Sequence, residues 1–514
     1  MSAVSFEFLL FFVLVLLLYG VFPQKSHWMI LLMASLIYFY RVSGIMLLLV
    51  FLGLCFINWK GAAYLNDLRR AGKQKVKIVY IAIIAFNVIT LVGYKEINFF
   101  KRTLNGISEI VGNPLNLPDI NIIAPIGISY FSLILIGYLT DVYWEKYEPE
   151  RNYLRFLLFV GYFPQISLGP IVRYDYMYNE LFEIKKMDVK QITSGMERIL
   201  WGFFKKLVIA ERLSVIVNTV YGDYITYNGW YIFIAVFAFT LQLYADFSGA
   251  MDIVIGVSEC FGITLPENFE LPFWSVSISE FWRRWHITLG GWLREYVFYP
   301  LLRSNAFRKL KKWCRKRLGK NYEKKFDLPL YLGLFITWFF IGFWHGGQWN
   351  YIFGSGLYYW FLIFLGGICA PLLECLIRIL HINTQCSSYR LFQRFRTFCI
   401  FTFGLSFFRA PNLREGIMMW KATAQISTTQ VIDNGTVLGL GLDGADMIVL
   451  AAALAVLIAV GLLRLYLKQN IRGWFNEQNI LFRGSIVAVA IVCVVIFGMY
   501  GPGVTASEFI YQQF

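Results

Sequence analysis

Two of the four histidines in this chain follow a tryptophan: His286 in EFWRRWHIT and His345 in GFWHGGQWN. An imidazole titrates at about pH 6.5 when unperturbed, so it can take a proton from a hydroxyl near neutrality. His345 ends a strongly apolar run and precedes two glycines. Two readings stand for it: a general base, or a structural imidazole that caps a helix end. The cost of a polar group in lipid weighs toward function. His286 stands beside Arg283 and Arg284, with Arg294 further on. Such guanidiniums suit a phosphate-bearing donor or lipid headgroups. On pattern alone, headgroup or structural pairing outweighs catalysis at His286. His27, beside Lys25, and His381, after Arg378, read as solvated loop residues. Asp246 and Asp252 in YADFSGAMD either pair with an embedded arginine or orient a histidine. The ion pair is the stronger reading.

Other chemistry finds little support. No GxSxG, P-loop or HExxH motif is present. None of the eight cysteines forms a CxxC pair or takes metal-ligand spacing with a histidine, so no metal site is expected. Most read as small apolar fillers. Cys314 lies in a basic loop that would favour its thiolate, though an incidental loop cysteine is the simpler reading. Asn434-Gly-Thr is a glycosylation sequon, a pattern frequent by chance.

The elements that must position these residues are membrane helices. Of 514 residues, 58% are hydrophobic and 15% charged, against about half and a quarter in soluble domains. Disorder and a soluble multidomain enzyme are thereby excluded. Apolar runs fall at 6–22, 28–57 (a pair of short segments), 78–93, 122–139, 154–168, 199–215, 230–244, 251–261, 328–344, 351–373, 398–408, 447–463 and 485–500. Several are too short to cross a bilayer alone and read as re-entrant or broken. The first is expected to be a retained span, because no basic leader precedes it. No internal repeat is found, so a single integral-membrane domain over 1–514 is expected.

The formal charge of +15 calls for no nucleic acid. It gathers in four clusters: Lys60 to Lys77, residues 303–325, Arg378 to Arg396, and Arg464, Lys468, Arg472 and Arg483. These are expected on the cytoplasmic side, and the stretch 411–446, with Asp433, Asp443 and Asp446, on the other. The His345 turn then lies toward the outer side or at the apex of a re-entrant pair. The charged stretch 279–303 is too polar for a lipid-facing span and must face a cavity, lie at the interface or pair internally.

The run YADFSGAMDIVIGVSECFGITLPENFELPFWSVSISEFWRRWHITLGGWLREYVFYPL resembles the membrane-bound O-acyltransferase (MBOAT) family, in the bacterial branch that contains the alginate O-acetyltransferase membrane subunit. The segments PIGISYFSLILIGYLTDVYW, YFPQISLGPIVRY, GFFKKLVIAERL, GFWHGGQWNYIFGSGLYY and FGLSFFRAPNLREG agree, in the family's order and over nearly the whole chain. The resemblance implies an all-α bundle of about 11 to 13 spans around a tunnel, with a core over about 100–410 and additional spans over 447–500. It places the family's invariant histidine on His345 and its more variable site position on His286. Arg284, Arg294, Trp285 and Trp344 become donor or substrate contacts, and Asp246 and Asn268 supporting residues. No permanently bound cofactor is implied. The donor would be acetyl-CoA or an acyl carrier protein thioester. The acceptor would be a hydroxyl of a cell-surface polysaccharide, or of an extracytoplasmic esterase-like partner, at a bacterial inner membrane.

The chain departs from the alginate pattern at Gly290, Gly291 and Glu295, in the LLRSN segment and its long basic loop, and at Ile134. These leave the acyltransferase reading intact and the polysaccharide open. A teichoic-acid D-alanyltransferase is the competitor within the family, and the final two spans favour the acetyltransferase branch. A lipid-linked sugar transporter would need repeats the chain lacks. A scaffold for polymer export would have lost the chemistry.

Overall fold

The computed structural model describes residues 4–319, 322, 326–424, 440–467, 471–500 and 509. Asp433, the Asn434 sequon, Lys320, Lys324, Lys325 and Lys468 lie outside them. The protein is 77% helical, and among the described residues the only strand-like pairing is an isolated bridge between Phe269 and Trp285. Among the described residues, six helices are long and apolar enough to cross a membrane: Gln24–Arg70, Val76–Lys95, Trp230–Cys260, Trp349–Ile379, Gly444–Leu467 and Ile480–Phe497. Phe6–Val21, Ile128–Tyr143 and Leu328–Trp344 are shorter apolar helices. Two compact units result. One comprises 1–209, 245–266 and 453–514; the other comprises 210–244 and 267–452.

In the first unit, Ile128–Tyr143 is buried from Ile128 to Val142. A helix apolar on all sides belongs inside protein. The helices His27–Arg70, Val76–Lys95 and Tyr153–Gly161 pack around it. The paired segments expected across 28–57 are present: His27–Arg70 is two helices that meet at a kink at Gly44 (φ 78, ψ 173). Only glycine takes that conformation readily. Phe39 and Phe51 consequently stack at 4.6 Å, whereas twelve residues of straight helix would separate them by about 18 Å. His27 is a correction: it is buried, not solvated, stacked on Tyr19 at 3.7 Å with its Nε2 3.2 Å from the Phe22 carbonyl oxygen. His381 is exposed, as expected. The 154–168 run is helical only over Tyr153–Gly161. Pro164 removes a helical donor, and the following irregular chain to Val172 is buried, which a membrane protein tolerates only inside itself.

The runs 230–244 and 251–261 form one 31-residue helix, Trp230–Cys260. The polar residues that separate them in the sequence are neutralised by charges in the Val189–Phe203 helix and the π-helical turn Phe204–Ala210 that follows it. Lys206 Nζ donates to Asp246 Oδ1 at 2.6 Å, with both side chains almost wholly buried. Asp252 accepts from Arg198 Nε at 2.8 Å and Lys205 Nζ at 2.5 Å, and Glu259 from Arg198 Nη1 at 3.1 Å. Two glycine pairs let these backbones meet. A Cβ on Gly195 would lie 2.6 Å from the Gly256 carbonyl oxygen, and one on Gly202 would lie 2.7 Å from that of Gly249. Arg472 and Arg483, expected as loop charges, pair instead with Glu259 (2.6 Å) and Glu197 (3.0 Å).

In the second unit, Leu328–Trp344 packs on the π-helical segment Ile352–Leu357 and on Tyr358–Ile379, and Ser387–Arg409 closes on Ile352–Leu357. Glycines set these spacings too: a Cβ on Gly354 would lie 2.6 Å from the Gly404 carbonyl oxygen. The basic stretch after Arg303 forms an amphipathic helix, Asn305–Leu318, with Phe307 and Cys314 buried. Cys314, read as a loop residue, is instead buried in this helix, and burial raises its thiol.

Candidate active site

The stretch 279–303 is neither a span nor one helix. It folds as Ile278–Arg284, Ile287–Leu293, a π-helical turn Arg294–Phe298 and Tyr299–Arg303. Its aromatic residues anchor it within the second unit. Trp285 packs on Phe269 (5.0 Å), Phe281 (5.6 Å) and Phe401 (5.0 Å). Trp282 packs on Trp338 (5.1 Å) and Tyr359 (4.9 Å). Stacked, tilted and edge-to-face contacts of this kind add to area burial.

Between the first two short helices the chain reverses at His286, which takes a left-handed backbone (φ 48, ψ 51). Such a conformation is uncommon for a residue other than glycine and marks a constraint. The constraint is visible. The Glu270 amide donates to the Arg284 carbonyl at 2.9 Å and the Ile287 amide to the Asn268 carbonyl at 3.1 Å. The Asn268 side chain bonds the same segment: its Oδ1 lies 3.3 Å from His286 Nδ1, 3.1 Å from the Thr288 amide and 3.0 Å from Thr288 Oγ1. Asn268 and His286 are both buried. This connection lies outside the candidate spans, and burial pushes the His286 imidazole down to about 3, so the ring is neutral.

His345 caps the C-terminal end of Leu328–Trp344. Gly346 (φ 149) and Gly347 (φ 53) then turn the chain into Trp349–Tyr351, as the sequence led one to expect of WHGGQWN. Asn350 ties this turn down by donating to the carbonyls of Phe407 (3.3 Å) and Ala410 (2.8 Å). His345 is buried, with its ring edge-on to Phe408 at 5.5 Å. Trp344, half-buried, joins the two histidines: its ring is 6.0 Å from that of His286 and 5.2 Å from that of His345. Two buried imidazoles beside one indole are groups of the type that can take or give a proton.

Arg284 is partly exposed and held by Glu280 at 2.7 Å; Arg294 is exposed. Asp246 belongs to the first unit, in its ion pair with Lys206. Sequence reasoning missed Thr288, Asn350 and Phe408. It also missed the buried charges Arg198, Lys205 and Lys206, although GFFKKLVIAERL shows cations inside an apolar run.

A profile of the membrane-bound O-acyltransferase family matches residues 32–318, more than half of the chain. The chain is 30% identical to a probable alginate O-acetylase of Pseudomonas putida over 87% of its own length and 84% of that protein's. It is 28% identical to a peptidoglycan O-acetyltransferase of Helicobacter pylori, over 64% of this chain and 62% of the relative. A teichoic acid D-alanyltransferase of Bacillus subtilis is 31% identical over 47% of this chain and 58% of the relative. With its apolar helices and its buried histidine pair, the chain belongs to the membrane-bound O-acyltransferase family and is a multi-pass membrane enzyme that transfers acyl groups to oxygen.

Proposed function

We propose that this enzyme moves an acetyl group from a cytoplasmic thioester to a hydroxyl outside a bacterial inner membrane, on a cell-envelope polysaccharide or on an esterase-like protein that serves it. The observation that carries this reading is the burial of His286 and His345 with both rings near Trp344, at 6.0 Å and 5.2 Å. His345 takes the proton of the receiving hydroxyl as its oxygen bonds to the thioester carbonyl carbon. The proton ends on the sulfur when the C–S bond breaks, so an ester and a free thiol result. His286 acts beside it, held by Asn268. Trp344 and Trp285 shape the aromatic wall. Arg284 and Arg294, on accessible surface, are suited to the phosphates of acetyl-CoA or of a carrier protein's prosthetic arm. Asp246 supports indirectly, by neutralising Lys206.

The relatives named for O-acetyl transfer favour acetyl over D-alanyl: the first covers 87% of this chain, the D-alanyltransferase 47%. The test is His345→Ala and His286→Ala in full-length protein whose insertion is verified. O-acetyl content of the extracted polymer, and label transfer from acetyl-CoA in membrane vesicles, should fall to background. Wild-type acetylation by His345→Ala overturns the assignment. Label transfer from a D-alanyl carrier thioester, with none from an acetyl thioester, decides for the competitor.

A further inference from the structure

The geometry points to Asn268 and Thr288 as positioning residues that fix the tautomer of His286, placing its proton on Nδ1 and leaving the lone pair on Nε2. This rests on the proposed catalytic role of His286, but the tautomer itself can be measured without activity.

The argument begins at Thr288. Its backbone N–H can only donate, and it meets the Asn268 side chain at 3.1 Å. The atom it meets must therefore be the amide oxygen, because a rotated Asn268 would set an NH2 group against an N–H. The Thr288 hydroxyl, 3.0 Å from the same oxygen, can donate to it as well, although the backbone N–H alone decides the orientation. His286 Nδ1 lies 3.3 Å from this oxygen. An amide oxygen accepts and cannot donate, so the hydrogen in that contact belongs to Nδ1. A neutral imidazole has one N–H, and Nε2 is left as the acceptor.

The backbone enforces the same arrangement. The Asn268 carbonyl accepts from the Ile287 amide, and the pairing of residues 268–270 with 284–287 holds His286 in its left-handed conformation. Both faces of Asn268, main chain and side chain, thus grip the residues flanking the imidazole.

The chemical consequence is directional. With Nδ1–H fixed, His286 receives a hydrogen bond or a proton at Nε2 from an O–H or S–H group presented there. It does not donate to a developing oxyanion. When Nε2 takes a proton, Nδ1–H still donates to Asn268, so the same oxygen steadies the imidazolium.

Only four histidines occur in the chain, so 15N-histidine labelling of the full-length protein in lipid bilayers gives a spectrum simple enough to assign, with His286→Gln removing the relevant signals. Solid-state 15N shifts separate protonated from unprotonated ring nitrogens. The expected result is a protonated Nδ1 and an unprotonated Nε2 in wild type, kept in Asn268→Asp and Thr288→Ser. Asn268→Leu should mix the tautomers and lower kcat at least about 10-fold, with little change in KM for the thioester. A wild-type spectrum with the proton on Nε2 overturns the proposal, whatever the variants do and even if Asn268→Leu fails to fold. Full activity in His286→Gln would instead remove the catalytic role proposed above while leaving the tautomer result standing.

Discussion

Gly342 lies one turn before His345 and faces the chain that leaves the turn. A methyl group on it would sit 2.5 Å from Ile352 Cα, 2.8 Å from the Tyr351 carbonyl oxygen and 3.0 Å from the Ile352 carbonyl oxygen. Ordinary contact begins at 3.4 Å, so Gly342→Ala is about 0.9 Å too close. All three obstacles are backbone, and no side chain can rotate away. The Leu328–Trp344 helix must shift against Ile352–Leu357. Overpacking of this kind costs about 1–3 kcal/mol, offset by about 1 kcal/mol of helix propensity gained over glycine. Stability should therefore fall only slightly. Activity should fall far more, because the shift moves His345 relative to its neighbours, and a misplacement of about 1 Å costs about 100-fold in rate. Gly366→Ala is the control: on Tyr358–Ile379, a Cβ there meets nothing within 4 Å. The measurement is polymer acetylation and thioester consumption per amount of folded protein, with a thermal midpoint for each variant. If Gly342→Ala matches Gly366→Ala in rate and midpoint, the close helix approach does not position His345 and the reasoning fails.

Two further outcomes follow from the buried charges and the thiols. Lys206→Met removes the ammonium from a nearly buried pair with Asp246 and should cost about 3–5 kcal/mol, while Lys206→Met combined with Asp246→Leu recovers most of it. An unchanged thermal midpoint in the single variant would refute this. Outside the spans, a hydrogen bond with Ser388 lowers the Cys386 thiol, whereas burial raises that of Cys314. At pH 7.5 a maleimide should modify Cys386 before Cys314, whose thiol is both buried and raised. Simultaneous modification would contradict both shifts.

Much of this was legible in the chain. Apolar runs located the helices, and the glycines after Trp344 located the turn that presents His345. Features that depend on contacts were not legible. The division of 28–57 into two segments was legible, but the fold-back at Gly44 that stacks Phe39 on Phe51 was not, because both are equally apolar in a straight helix. Asp246 and Asp252 divided one helix into two apparent runs, since their neutralisation by Lys206, Lys205 and Arg198 comes from a different part of the sequence. Asn268 was recognisable only through the family pattern. Its grip on His286 depends on a left-handed residue, which no periodicity reveals. The exposure of Arg294 was not legible either: the short helix Ile287–Leu293 carries the chain from buried His286 to the surface within eight residues.

The charged seam in the first unit also constrains how the protein is made. Arg198, Lys205 and Lys206 are synthesised before the helix that supplies their carboxylates. Three cations entering lipid unaccompanied would cost on the order of 8–10 kcal/mol. Insertion of the earlier segment together with Trp230–Cys260, joined at their glycine pairs, would avoid that cost. Loss of one of those carboxylates would then show first as a shortage of inserted protein, before any turnover is measured.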